Sequence, residues 1–323
     1  MFPRLHIAHM TPRLPIIQGG MAVRVSTGKL AAAVAEAGGI GTIAGTGLTN
    51  DELAGEIRKA RELTTGYIGV NVLFAVQRFA ELMLTAMREK VDFVVSGAGF
   101  SRDMFQWGKE HGIPVLSIVS SARLAQLAQK LGAAAVVVEG KEAGGHLGTD
   151  RPVGEIVPEV VAAVDIPVVA AGGITNGFDI ARMLGLGASG VQMATRFVAS
   201  TECEVHPNFK EKYLAATAED VVLIKSPVGL PGRAIRNHFT ETIAGEGRRA
   251  IEHCEQCLKH CSYKFCIFDA LRKSVAGDVE NGLVFSGEFV HRIKEILPVK
   301  EIMNRLAAEL EQALGAPAHA WSK

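Results

Sequence analysis

The sequence predicts an α/β chain folded as a parallel (β/α)8 barrel with a Cys-rich subdomain inserted towards its C-terminus. Three observations carry this expectation. A strand–helix alternation recurs about every 22–26 residues over the first 200 positions. The candidate strands are short, β-branched and almost wholly apolar, as parallel strands covered on both faces are. Residues 166–197, IPVVAAGGITNGFDIARMLGLGASGVQMATRF, read as strand, Gly-Gly turn, helix, glycine-punctuated turn and a second strand.

Eight strands are expected at 14–19, 39–44, 67–74, 93–97, 114–119, 134–139, 167–171 and 190–194. Helices fall between them, for example at 27–37, 51–63, 122–131 and 177–184, with Gly132, Gly185 and Gly187 marking helix ends. Alternating elements in this number close into a barrel. A doubly wound open sheet is the alternative, but the GxGxxG turn it would carry after an early strand is absent. The alternation stops after Phe197. The chain therefore divides into a barrel over 1–199, an inserted lid with four cysteines over 200–285, and closing helices over 286–323. Those helices are expected at 288–297 and 300–314. The second has an apolar stripe of Ile302, Leu306, Leu310 and Leu314, followed by a frayed tail from 315.

Composition narrows the partners. With 48% hydrophobic and only 6% aromatic residues, the core is aliphatic. A formal net charge of +0 gives no electrostatic case for nucleic acid or a membrane surface, which leaves a small-molecule substrate. Apolar runs such as 133–138 are strand-length and too short to span a bilayer. The first residues show no signal-peptide core, so a cytoplasmic location and reduced thiols are expected. The neutral charge and apolar outer helix are compatible with a homodimer.

In such a barrel, chemistry sits where strands end. The seventh and eighth strand tips, Gly172-Gly173 and Ala194-Thr195, can turn backbone N–H groups onto one phosphate. The first strand ends in Gly19-Gly20-Met21-Ala22, small residues that let a flat ring lie against the backbone, or simply a tight turn. Asn71, alone among apolar neighbours, needs a partner: a ring edge, ribityl hydroxyls or a structural contact. The fourth strand opens with SGAG over 96–99. After the sixth strand, EGKEAGGHLG over 139–148 holds His146 over the mouth, as a base or as a capping residue. Glu139 can accept from hydroxyls, and Gln192 faces a cofactor or fills the barrel. A phosphate anchor beside a flat-ring wall suits FMN; a phosphosugar fits the anchor but does not require the open wall.

The cysteines Cys254, Cys257, Cys261 and Cys266 give C-x2-C-x3-C-x4-C. Such compact spacing suits a [4Fe–4S] cluster, a four-thiolate zinc site, or free thiols packing a small subdomain. An oxygen-sensitive cluster would favour a reductase.

In order, PIIQGGMA, GVNVLF, VSGAG, EGKEAGGHLG, PVVAAGGI and GVQMATRF resemble the nitronate monooxygenase (2-nitropropane dioxygenase) family, which includes flavin-dependent enoyl-ACP reductases and quinone reductases. The resemblance is strong over residues 12–240 and moderate over 277–287. It implies a TIM barrel with FMN, touched by Gly20, Met21 and Ala22 and lined by Asn71, Glu139, Gly144, Gly172, Gly173, Gln192, Met193, Ala194 and Thr195. It makes His146 the active-site histidine. The implied reaction is oxidation of alkyl nitronates to carbonyl and nitrite, or NAD(P)H-dependent reduction of enoyl thioesters or quinones; the stretch 195–216 leans to the reductases. In SPVGLPGRAIRN, Arg233 and Arg236 are candidates for binding a substrate or NAD(P)H anion, or are surface arginines.

Overall fold

A computed structural model describes residues 4–315, so 316–323 of the expected tail lie outside the described residues. Eight parallel strands form the barrel: β1 (Ile16–Gln18), β2 (Gly41–Ala44), β3 (Ile68–Leu73), β4 (Phe93–Gly97), β5 (Val115–Val119), β6 (Ala135–Glu139), β8 (Val168–Ala171) and β9 (Gly190–Met193). The short β7 (Gly145–His146) stands outside this sheet. The strand order is β1-β9-β8-β6-β5-β4-β3-β2. A parallel bridge from Ile17 to Ile40, with Gln18 N donating to Ile40 O at 2.8 Å, joins β1 to the approach of β2 and closes the ring. This is the (β/α)8 TIM barrel that the sequence predicts.

Period-two geometry sorts the strand residues. Ile17, Phe93, Val95, Leu116, Ala135, Val137, Val169 and Ala171 pack inside the barrel. Their alternates, such as Val70, Val72, Val94, Val136, Val138 and Val168, face the helices. The interior is a filled core. Phe93 occupies the space at Gly69, where a Cβ would lie 2.2 Å from its ring. Leu5, Ile7 and Met10 plug the N-terminal end.

The outer ring consists of α1 (Gly28–Glu36), α2 (Asn50–Leu63), α3 (Phe79–Arg88), α4 (Asp103–His111), α5 (Ala122–Leu131), α6 (Val153–Val161) and α7 (Gly177–Gly185). It is completed after a long excursion that contains α8 (Thr195–Val198), α9 (Pro207–Ala215), the hairpin β10 (Val221–Lys225) and β11 (Pro231–Ile235), α10 (His238–Glu246) and α11 (Ile267–Val275). Then α12 (Val299–Leu314) docks between α7 and α1. Its buried stripe is Ile302, Met303, Leu306 and Leu310, while Leu314 is exposed. Gly177 permits the close approach: its N–H donates to Glu309 Oε2 at 2.7 Å, and a Cβ there would lie 2.4 Å from Leu310 N.

One expectation needs correction. No helix covers 288–297; a single 3-10 turn at Val290–Arg292 stands there. Leu297 is instead drawn into a parallel bridge with Ser200, its N–H donating to Ala199 O and its carbonyl accepting from Thr201 N, just ahead of Pro298. The insertion is built on regular elements. Its hairpin adds β7 as a third strand, with Gly232 opposite His146, and Leu258 bridges to Val76. The insertion thus roofs the C-terminal mouth. No helix among the described residues is long and apolar enough to cross a membrane.

Candidate active site

The inward-facing series of the strands ends in one layer at the mouth. Gly19, Asn71, Gly97, Ile118, Glu139, Ala171 and Gln192 all line the same cavity. In β6 the inward residues are Ala135, Val137 and then Glu139, so the carboxyl continues a core-facing register. Burial pushes its pKa up to about 8. Asn71 Nδ2 donates to Gly20 O at 3.2 Å, while its Oδ1 is buried without a partner.

The wall at Gly19–Ala22 rests on two residues the sequence reading did not single out. Gln18 is fully buried. Its Nε2 donates to Gly19 O and to Ser26 Oγ, the latter at 2.8 Å, and its Oε1 accepts from Thr42 N. Ser26 Oγ accepts from Met21 N at 2.9 Å. A glutamine closing an apolar strand was the available signal, since a buried amide must find partners.

Opposite this wall, β8 ends at Ala171, so the N–H groups of Gly172 and Gly173 lie beyond the ladder. Both residues have left-handed φ, +104° and +70°, which favours glycine. Ala194 and Thr195 follow β9 beside them on the cavity wall, with Gly144, Met193, Met21 and Ala22. Ser286, which is 2% exposed, lines the cavity with its Oγ unpartnered.

His146 stands on β7, held in register by β11. Its Nε2 lies 2.7 Å from Ser226 Oγ, and the edge of Phe285 meets its ring at 5.2 Å and 72°. Burial lowers its pKa to about 4, so the imidazole is uncharged at neutral pH. The apolar residues Phe209, Leu258, Ile267, Phe268, Leu271 and Leu283 enclose the rest of the chamber.

The family described as nitronate monooxygenase matches residues 5–90 and 74–309 of the chain. This chain belongs to the nitronate monooxygenase family. A "Probable nitronate monooxygenase" of Staphylococcus aureus (strain JH9) is 28% identical, covering 93% of this chain and 95% of that protein. A Rhodococcus jostii (strain RHA1) protein named "(3aS,4S,5R,7aS)-5-hydroxy-7a-methyl-1-oxo-octahydro-1H-indene-4-carboxyl-CoA dehydrogenase" is 34% identical over 72% of this chain. The matched stretch spans 65% of that relative's length, just under two thirds. The solved structure of FabK from Thermotoga maritima superposes with a TM-score of 0.84 at 36% identity, covering 94% of both chains.

Within this nitronate monooxygenase family chain, the two candidate arginines stand apart from the His146 cavity. Arg233 is 9% exposed and braces the β6–β7 loop. Its Nε donates to Ala143 O at 3.2 Å and its Nη2 to Lys141 O at 2.7 Å, with Glu288 Oε2 at 3.5 Å. Arg236 donates to Glu219 O and lines a separate surface groove beside α10. The four cysteines are not gathered into a ligand set. Among the described residues, no group of three or more His, Cys, Asp or Glu side chains is arranged to hold a metal. Cys254 is exposed, whereas Cys257, Cys261 and Cys266 are half-buried under the roof. There the backbone is tied to the β3–α3 loop by Gln77 N to Cys257 O and Lys259 N to Ala75 O.

Proposed function

We propose that this chain is an FMN-dependent oxidoreductase that reduces an uncharged, apolar enoyl thioester, with NAD(P)H as electron source. The observation that carries this reading is the electrostatics around His146. No Lys or Arg is among the described residues lining its cavity, and the imidazole is held uncharged. A neutral N–H polarises a carbonyl by hydrogen bonding but does not balance a resident anion, so a desolvated nitronate would lack a counter-charge. The apolar chamber suits an acyl chain and excludes water. The "carboxyl-CoA" in the Rhodococcus relative's name supports a thioester.

The residues fit FMN. Gly172, Gly173, Ala194 and Thr195 would hold its phosphate. The unpartnered Asn71 Oδ1 would accept from the ribityl chain or ring, and Gly20, Met21 and Ala22 would bear the isoalloxazine. When bound, this group supplies two-electron transfer between nicotinamide and substrate carbon. Glu139, protonated at neutral pH, donates a hydrogen bond where an ionised carboxylate would only accept. His146 hydrogen-bonds the thioester carbonyl as negative charge grows on its oxygen, and the roof keeps that oxygen from water.

Nitronate oxidation is the second reading, favoured by the family match and the Staphylococcus relative. Anaerobic stopped-flow separates the two. Rapid bleaching of the flavin by NADH or NADPH, followed by re-oxidation with crotonyl-CoA, supports the reductase. Bleaching by propyl nitronate alone overturns it.

A further inference from the structure

We infer that Ser226 is a positioning residue that fixes the tautomer of His146: its hydroxyl donates to Nε2, leaving the ring proton on Nδ1. The inference rests on His146 being the group that meets the substrate in the proposed function, but not on which substrate it meets.

The tautomer follows from counting donors and acceptors at a buried hydroxyl. Ser226 closes the β10–β11 turn, where its N–H donates to Leu230 O and its carbonyl accepts from Gly229 N. It is 5% exposed, so it is withdrawn from bulk water. Its Oγ has two neighbours among the described residues: Val228 N, which donates to it at 3.3 Å, and His146 Nε2 at 2.7 Å. A backbone N–H can only donate. If Nε2 also carried a proton, the Ser226 oxygen would accept twice and its own hydrogen would have no acceptor. A buried donor left without an acceptor is unfavourable, because its lost hydration is not replaced. The opposite arrangement satisfies both buried groups, with Val228 N–H donating to Oγ and Oγ–H donating to a bare Nε2, and leaves the ring proton on Nδ1.

The other edge of the ring is then the working edge. Nδ1 makes no hydrogen bond to a described residue and is not an enclosed orphan atom, so it stays open to the cavity that His146 lines. Two supports hold the ring in this pose. β11 pairs with His146 through Gly232, and Phe285 packs edge-on against the imidazole. The same hairpin that carries Ser226 therefore sets both the position and the protonation of His146. The hydrogen-bond partner of one imidazole nitrogen commonly fixes which nitrogen carries the proton.

Long-range 1H–15N NMR of the flavin-containing protein, labelled with 15N-histidine and read at pH 7, tests this directly. His146→Gln identifies the signal. The expected wild-type pattern is a protonated Nδ1 and a bare Nε2. Ser226→Ala should shift His146 towards the Nε2–H form and lower kcat about tenfold with KM little changed, the loss of one hydrogen bond's worth of stabilisation. Ser226→Thr, which keeps the hydroxyl, should restore both. A wild-type Nε2–H tautomer overturns the proposal even if Ser226→Ala fails to fold. So does a tautomer that Ser226→Ala leaves unchanged. An Nδ1–H signal in a protein that does not turn over crotonyl-CoA would retain the role of Ser226 and reject only the substrate.

Discussion

Gly20 lies directly against Asn71. A Cβ built on Gly20 would stand 2.6 Å from Asn71 Cβ, and the Asn71 amide donates to the Gly20 carbonyl. The glycine and the lone strand amide are therefore one unit, and the absent side chain is what allows the amide to hold its place. Gly20→Ala should push Asn71 out of the inward layer. The expected result is a stable protein that binds FMN at least tenfold more weakly, read by titrating flavin-stripped protein with FMN. Unchanged affinity would show that Asn71 has no part in holding the flavin.

Glu139 and His146 make opposite contributions to stability across pH. Glu139 titrates near 4.5 when unfolded and about 8 when folded, so between those values the native state holds a proton that the unfolded chain has lost. Its contribution to stability falls as pH rises. His146 runs from 6.5 unfolded to about 4 folded, so its contribution rises with pH between 4 and 6.5. The two oppose each other up to pH 6.5, and only the Glu139 effect remains from there to 8. Flavin-stripped wild type should lose up to about 1.4 kcal/mol per pH unit in that upper window, and Glu139→Gln should not. Urea unfolding of the two proteins at pH 6.5, 7.2 and 8 checks this; parallel curves would mean that Glu139 is ionised in the fold.

Arg233 and Arg236 sit three residues apart in sequence but have different work. Arg233 is buried with its hydrogen bonds to the Lys141 and Ala143 carbonyls, and it sets the loop that delivers His146. Arg233→Met should lower the unfolding free energy by about 3 kcal/mol, as expected for removing charged hydrogen bonds and leaving buried carbonyls unpaired. Arg236→Ala should stay within about 0.5 kcal/mol of wild type. Chemical denaturation distinguishes the pair. A stable Arg233→Met with a raised KM would instead return Arg233 to substrate binding.

The barrel was legible because period two and apolarity leave little choice for parallel strands, and because Asn71, Glu139 and Gln192 are polar breaks in otherwise apolar runs. The roof was not. Ser226 is unremarkable in SPVGLPGR until the turn of the hairpin, with Gly229 at φ +90°, swings it onto a histidine 80 residues earlier. Gln18 could be read as a strand terminus as easily as a buried brace. The amphipathic pattern over 288–297 is helical in sequence. It yields to the bridge between Leu297 and Ser200, a tertiary pairing that no local pattern reveals.

The cysteines give the last prediction, because the same spacing that suits a cluster is here spread between surface and roof. Cys254 is exposed, while burial and the neighbouring Cys266 and Cys261 thiols push Cys257 up to about 11. Cys203 is 2% exposed, its thiol also raised by burial. Since the thiolate is the reactive form, Cys254 should react first with an alkylating agent at pH 8, and Cys257 and Cys203 should resist until the protein unfolds. Peptide mass mapping of partially alkylated, anaerobically purified protein gives the order. If Cys254 is protected as fully as Cys257, and iron or zinc is present in stoichiometric amount, the four sulfurs are joined through a metal and are not free thiols.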